Sequence, residues 1–280
     1  TSFSSTGNLG VGAYNLTASG TNIVARNFNT MTVVGSLVVN AKPLSAAALG
    51  VSGITKVYDG SAAISLGGLN YTASPSGVLA GDSVTVSAIG RFVDSNGNAN
   101  ANVGNNKFVD VDLALAGVDA RNYSLSSTQV SDDRNGIGSG SVTQLDAVAW
   151  VGPATGGYWS NASNWADGAI PTFNNVRQVT IPSNANVIYD SALVGSIGST
   201  IVNNGTITFS GSNDFTLANV VSGTGGLNQS GAGLLTVSGN NSFAGGININ
   251  ASRLLLAHAN ALGTGSLTSN GGSLALLNGV

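Results

Sequence analysis

The sequence has no cysteine, a single histidine and charge on only 8% of its side chains, against roughly 25% in an ordinary soluble domain. Without cysteine there can be no disulfide staple, thiolate zinc site or thiol catalysis. The same absence suits a chain exported through a channel that tolerates no premature disulfides. Lysine and arginine nowhere form a run, and the formal net charge is −3. The electrostatic footprint of a nucleic-acid binder is therefore missing, and no nucleic-acid partner is expected. No stretch reaches the ~18 consecutive apolar residues of a membrane-spanning helix, so no membrane insertion of this segment is expected. No secretory leader pattern precedes the first strand signals, and Thr1 and Val280 both interrupt a pattern. Both ends are expected to be cut from a longer chain.

What fills the space is glycine, 40 of 280 residues, together with Asn, Ser and Thr, over a hydrophobic fraction of 42%. That fraction is enough to bury a core, so the chain is not a disordered polar tract. Neutral hydroxyls and amides must supply its solubility, and these side chains suit turns and hydrogen-bonded ladders better than helix surfaces. Strand signals dominate. Thr32 to Val39 is rich in β-branched residues and ends before Lys42-Pro43. Ser83 to Ser87 and Lys107 to Leu113 alternate polar and apolar with period two, between Gly and Asn turn signals. The helix-like run from Leu44 to Leu49 is too short to be stable alone. An all-β protein follows.

The first half repeats itself. Leu16 to Phe28 reads LTASGTNIVARNF and Leu113 to Tyr123 reads LALAGVDARNY. The shared Ala-Arg-Asn-aromatic step is Ala25 to Phe28 in one and Ala120 to Tyr123 in the other. Each leads into a Gly-Ser-apolar strand, at Gly35 and at Gly140. The repeat length is that of a small β-sandwich, so residues 1–43 are expected to be the C-terminal part of a preceding β module and 44–145 the next whole one. Within that second module, Ile54-Thr55-Lys56-Val57-Tyr58-Asp59-Gly60 resembles the opening of the YDG-type modules of large bacterial adhesins. Gly81-Asp82-Ser83-Val84 and Asp119-Ala120-Arg121-Asn122-Tyr123 resemble later landmarks of such modules. An immunoglobulin-like β-sandwich is expected there, with a β-grasp module, marked by a helix across one sheet, as the alternative.

The second half changes character. Trp150, Tyr158, Trp159 and Trp165 fall in a segment, 146–172, that resembles an aromatic linker or cap ahead of β-helical passengers. From Val202 onward, short apolar triplets recur between Gly and Asn turns, among them Leu234 to Val237 and Arg253 to Leu256. The stretch from Gly223 to about residue 268 is similar to the autotransporter-associated β-strand repeat. Residues 173–280 are therefore expected to form a right-handed parallel β-helix, of roughly 20–25 residues per coil, that continues beyond this segment. Strand alternation points Leu235, Val237, Leu254 and Leu256 inward.

Candidate chemistry is sparse. His258 lies between two alanines in the repeat, and no nucleophile-elbow sequence accompanies it. Asp132-Asp133 would face opposite sides of a strand. Asp94 to Asn98 is rich in oxygen ligands but lacks the glycine and glutamate of a helix-loop-helix calcium site, and reads as a hairpin loop. No catalytic residue, metal ligand or cofactor is assigned, and the protein is expected not to be an enzyme. The aromatic cluster has two readings. Trp150, Tyr158, Trp159 and Trp165 could stack on sugar rings, or the indoles could close the end of the β-helix, which requires Trp150 and at least one of Trp159 and Trp165 to be buried. The resemblances imply a stalk or passenger segment of a secreted bacterial adhesin of the autotransporter or two-partner-secretion kind. The implied location is the cell surface or the medium. The implied partners are a host or matrix surface ligand such as a polysaccharide, and an outer-membrane translocator during secretion.

Overall fold

The computed structural model describes residues 3–20, 31–44, 53–64, 77–131, 138, 140–172, 174–190 and 200–279. The Ala25 to Phe28 copy of the repeated step, most of the Leu44 to Leu49 run and Asp132-Asp133 lie outside these residues. Among the described residues there is no α-helix. Short 3-10 turns occur at Ala120–Asn122, Ala162–Asn164 and Ala166–Gly168. The fold is all-β, with sandwich-like sheets in the first half and a parallel β-solenoid in the second.

The chain divides into two compact units that do not follow chain order. One comprises Thr1–Ile54, Ala63–Gly97 and Phe108–Gly140, and the other Thr55–Ala62, Asn98–Lys107 and Ser141–Val280. In the first unit, Thr85–Val93 pairs antiparallel with the strand Gly104–Ala116, from Val93 beside Phe108 to Thr85 beside Ala116. The short strands Ala63–Ile64 and Gln129–Ser131 extend this sheet. The period-two pattern decides which side is covered: Val84 and Val86 are buried, as are Val109, Val111 and Leu113. Lys42–Leu44 pairs in parallel with Tyr123–Leu125 to give a second, smaller sheet. The core between the sheets gathers Leu44, Val84 and Tyr123, with Val78, Leu115 and Leu125 packed around them. Arg91 spans the neighbouring strand, pairing with Asp112 and, at 3.8 Å, with Asp110. Gly12–Gly20 and Met31–Val39 form a separate two-stranded antiparallel sheet whose Leu16, Val34 and Val38 are exposed.

The second unit is a solenoid of three parallel sheets. One runs Gly157–Tyr158, Asn186–Tyr189, Thr206–Phe209, Gly226–Gln229, Ile247–Ile249 and Leu267–Ser269. Another runs Leu145–Ala149, Val176–Ile181, Thr200–Asn203 and Val221–Ser222, and the third Phe215–Leu217, Leu235–Val237, Arg253–Leu256 and Ser273–Leu276. The regular coils repeat every 20 residues, so the same side chain returns one rung higher. Asn248 donates to Asn228, Asn260 to Asn240 and Asn270 to Asn250, each pair 20 residues apart at 2.8–2.9 Å. Leu235, Val237, Leu254 and Leu256 all point inward, in the register Leu235 beside Leu254 and Val237 beside Leu256.

Glycine is required where the rungs turn. A Cβ on Gly225 would lie 2.1 Å from the Gly205 carbonyl oxygen, and one on Gly245 would lie 2.4 Å from the Gly225 carbonyl carbon. These corners stack backbone on backbone, so the glycine column follows from the rung spacing of about 4.8 Å. Asparagine seals other corners. The buried Asn241 accepts from the Val221 N–H at 2.9 Å and donates to the Ala261 carbonyl at 2.8 Å, satisfying groups on two adjacent rungs.

Candidate functional site: an aromatic cap and two bonded aspartates

The cap of the solenoid is built from residues 145–175. Leu145–Ala149 enters as a parallel strand beside Val176–Ile181, and Trp150 continues it by donating its N–H to the Thr180 carbonyl at 2.9 Å. The chain then folds back, so that the N–H groups of Val151 and Gly152 both reach the Asn164 carbonyl, at 2.9 and 3.2 Å. Asn161 caps the intervening 3-10 turn, its side-chain oxygen accepting from the Ser163 N–H at 3.0 Å. That turn is what brings Trp165 back beside Trp150, where the two form an isolated antiparallel bridge.

All three indoles are enclosed: Trp150 is 3% exposed, Trp159 0% and Trp165 1%. Trp165 sits edge-on to Trp150 at 5.1 Å and to Trp159 at 4.7 Å between ring centroids. The series continues along the solenoid interior, from Trp159 to Tyr189 at 5.5 Å and from Tyr189 to Phe215 at 4.4 Å. Edge-to-face and tilted contacts suit the ring quadrupoles, and each adds about 0.5–1.5 kcal/mol beyond area burial. The buried N–H groups of two rings are used: Trp159 Nε1 donates to the Pro171 carbonyl at 2.9 Å and Trp165 Nε1 to the Trp159 carbonyl at 2.7 Å. Trp150 Nε1 is buried without a hydrogen-bond partner among the described residues. Burial also pushes the Tyr189 hydroxyl far above its ordinary pKa.

This arrangement is a packed plug. Sugar stacking needs an open ring face, and Trp150, Trp159 and Trp165 present none. Tyr158, the remaining member of the group, is 56% exposed. The strand Gly157–Tyr158 ends at Tyr158, whose side chain faces out, and Trp159 opens the turn that follows, where its N–H donates to the Ile188 carbonyl at 2.8 Å and its ring enters the core.

The Tyr58-Asp59-Gly60 tripeptide belongs to this same compact unit. Thr55–Val57 pairs in parallel with Ser141 to Thr143, and the buried Tyr58 donates its hydroxyl to the Ile170 carbonyl at 2.9 Å. Desolvation by this burial raises the Tyr58 pKa. Gly60 has φ +79°, and a Cβ there would meet the Gly168 carbonyl oxygen at 2.5 Å. Both the left-handed backbone and the close approach demand glycine. Asp59 is held locally, by Lys56 at 2.7 Å and the Ser61 N–H at 2.9 Å. Asn175, 1% exposed, accepts from the Val103 N–H and donates to Asn102 and Thr172. Lys107 is buried and its Nζ donates to Asn100 at 2.7 Å. Desolvation lowers its pKa.

In the other unit, Asp82 and Asp119 gather hydrogen bonds from distant segments. Asp82 accepts from the Thr6 hydroxyl and, at 2.7 Å, from the Tyr123 hydroxyl. Asp119 accepts from the Ser5 hydroxyl and N–H and, at 2.9 Å, from the Ser83 N–H. The Thr6 hydroxyl first, then Tyr123, holds the Asp82 carboxyl below the ordinary carboxylate range. Ser5 first, then the Ser83 N–H, does the same for Asp119. Hydrogen bonds to the ionised form favour it. Pairing of these aspartates with Ser5 and Thr6 could not be read from spacing, because more than seventy positions separate the partners.

His258 lies in a turn, its Nδ1 accepting from the Asn260 N–H at 3.0 Å. Asp94 likewise closes a turn, accepting from the Asn96 N–H at 2.9 Å. Among the described residues no three His, Cys, Asp or Glu side chains stand together.

The fold thus defines a β-solenoid protein carrying an additional sandwich-like β module. Residues 40–130 match the YDG domain family, so the chain contains a YDG domain. Tyr58, Asp82, Asp119 and Tyr123 all fall inside the match. No curated protein and no solved structure matches the chain.

Proposed function

We propose that this chain is a structural stalk or passenger segment of a secreted bacterial surface adhesin, serving cell-surface attachment or a biofilm matrix, and that it is not an enzyme. The observation that carries this reading is the solenoid itself: neutral rungs of 20 residues, closed at one end by a buried aromatic plug, in a chain with a YDG domain. Each coil is stable only against its neighbours, so such a fold extends by repetition and suits a spacer more than a catalyst. Neutral hydroxyls and amides keep it soluble, and the cysteine-free sequence suits passage through an outer-membrane translocator unfolded.

The resemblance of Gly223 to about residue 268 to autotransporter-associated repeats supports the same class. In the source bacterium, antibody against this chain should label intact cells or the matrix between them. Deleting the gene should reduce attachment to host cells or surfaces. Labelling only after lysis, with attachment unchanged, would refute the reading.

A further inference from the structure

The solenoid carries, outside its core, a second aromatic feature that the buried plug does not explain. Tyr158 is exposed at the start of the longest sheet, and its register partners form one outward column. Tyr158 lies beside Ile188, Ile188 beside Thr208, Thr208 beside Asn228, Asn228 beside Asn248 and Asn248 beside Thr268. The flanking positions on the same strands, such as Val187, Ile207, Leu227 and Ile247, are buried, so the column faces out. At about 4.8 Å per rung it runs about 24 Å. Its amides are already aligned: Asn248 donates to Asn228 at 2.9 Å. Each such amide pair keeps a further donor and acceptor for a ligand.

Charge decides the chemistry of the occupant. None of the six strands of this sheet carries a charged side chain; Asp190, which directly follows the strand Asn186–Tyr189, accepts from the Ser160 hydroxyl. The strands paired beside it cover its edges only in the rung direction, leaving a face of side chains rather than free backbone. Strand addition by a peptide uses backbone edges, so this face does not offer that mode. Nor does a face without lysine or arginine attract a polyanion. Repeated neutral donors and acceptors at the rung interval, headed by one open ring, match repeated hydroxyls on a chain of pyranoses.

We propose that this face binds an unbranched neutral polysaccharide lying along the solenoid axis, with Tyr158 stacking on one sugar and Thr208, Asn228, Asn248 and Thr268 bonding to those that follow. The site is separate from the buried indoles. It adds a ligand class to the stalk reading but does not depend on it, since surface display and sugar contact are read by different experiments.

The test is calorimetric titration of the whole chain with cello-oligosaccharides and xylo-oligosaccharides of two to eight units, and with oligogalacturonate as an anionic comparator. Affinity should rise with length and level off at about five or six units, the span of the column. Tyr158→Ala should weaken binding about tenfold, as loss of an aromatic anchor does. Asn228→Ala should weaken it further; Tyr158→Ala should leave the melting temperature nearly unchanged, while Asn228→Ala, which also removes the amide pair with Asn248, should lower it slightly. Absence of binding to every neutral oligosaccharide at millimolar concentration would overturn the proposal. So would binding that Tyr158→Ala and Asn228→Ala leave untouched, or a preference for the anionic probe.

Discussion

The two compact units reach stability by different means. The sandwich-like sheets of the first unit rely on particular long-range partners: Asp119 with Ser5 and Ser83, Asp82 with Thr6 and Tyr123, Arg91 with Asp112. The solenoid repeats a neutral arrangement every 20 residues and concentrates its singular contacts in the aromatic plug. Bonds to ionised groups are stronger individually but depend on protonation. Stacked rungs contribute similar increments from neighbour to neighbour, and with few titratable groups these respond little to pH. The contrast teaches where each unit is vulnerable: the first through pH and a few side chains, the second through anything that interrupts the stack.

The largest expected effect is in the plug. Trp159→Ala should cost about 3–5 kcal/mol, the range for buried aromatic truncations, and should lower the melting of the solenoid unit while leaving that of the sandwich-like unit in place. Two calorimetric transitions moving together would break the comparison. In the stacked rungs, Leu235→Ala or Leu254→Ala should cost about 2–5 kcal/mol. Unchanged melting in both would show that these side chains are not buried in the stack. Gly225→Ala tests the corner: with a Cβ placed 2.1 Å from the Gly205 oxygen, it should destabilise more than Gly→Ala at the open Gly35, where nothing lies within 4 Å. Thermal melting of the pair measures the difference.

Acidification sharpens the contrast from the other side. Asp82 and Asp119 titrate below their ordinary value in the folded state. Their contribution is therefore fully present above the unfolded carboxyl pKa of about 3.9. It is lost as pH falls through the lowered folded values. The unit that holds Asp82 and Asp119 should melt at progressively lower temperature below about pH 4, while the solenoid transition moves less. Asp119→Asn should flatten that acid dependence, and an unchanged profile would remove Asp119 from the account. The smallest effect belongs to the ladder: Asn248→Ala removes one amide pair and should cost about 0.5–1.5 kcal/mol, the net worth of a single hydrogen bond.

Much of this architecture was legible in the sequence, for a reason of scale. Period-two alternation in Ser83 to Ser87 and Lys107 to Leu113, and the recurrent triplets at Leu235 and Leu254, are local signals. They name strands and the side facing inward without reference to the rest of the chain. The 20-residue coil is itself a local repeat, so Gly and Asn at the corners announce the solenoid. The burial of Trp150, Trp159 and Trp165 was legible as one of two readings, because three large apolar rings in a segment this short need cover.

Other features depend on where the chain travels between strands, which periodicity does not encode. That Tyr58 meets Ile170, more than a hundred residues on, or that Asp119 meets Ser5, follows from long-range packing. The exposure of Tyr158 beside the enclosed Trp159 required the register of a two-residue strand. By itself, then, the sequence determined an all-β chain with an inward leucine and valine stripe and glycine-lined corners, because these follow from spacing along the backbone. Only the tertiary structure decided that the YDG tyrosine bonds the capping segment, that two aspartates hold an N-terminal loop, and that one aromatic ring of four faces water. Those outcomes rest on contacts between residues far apart in the chain, which exist only once the strands have found their partners.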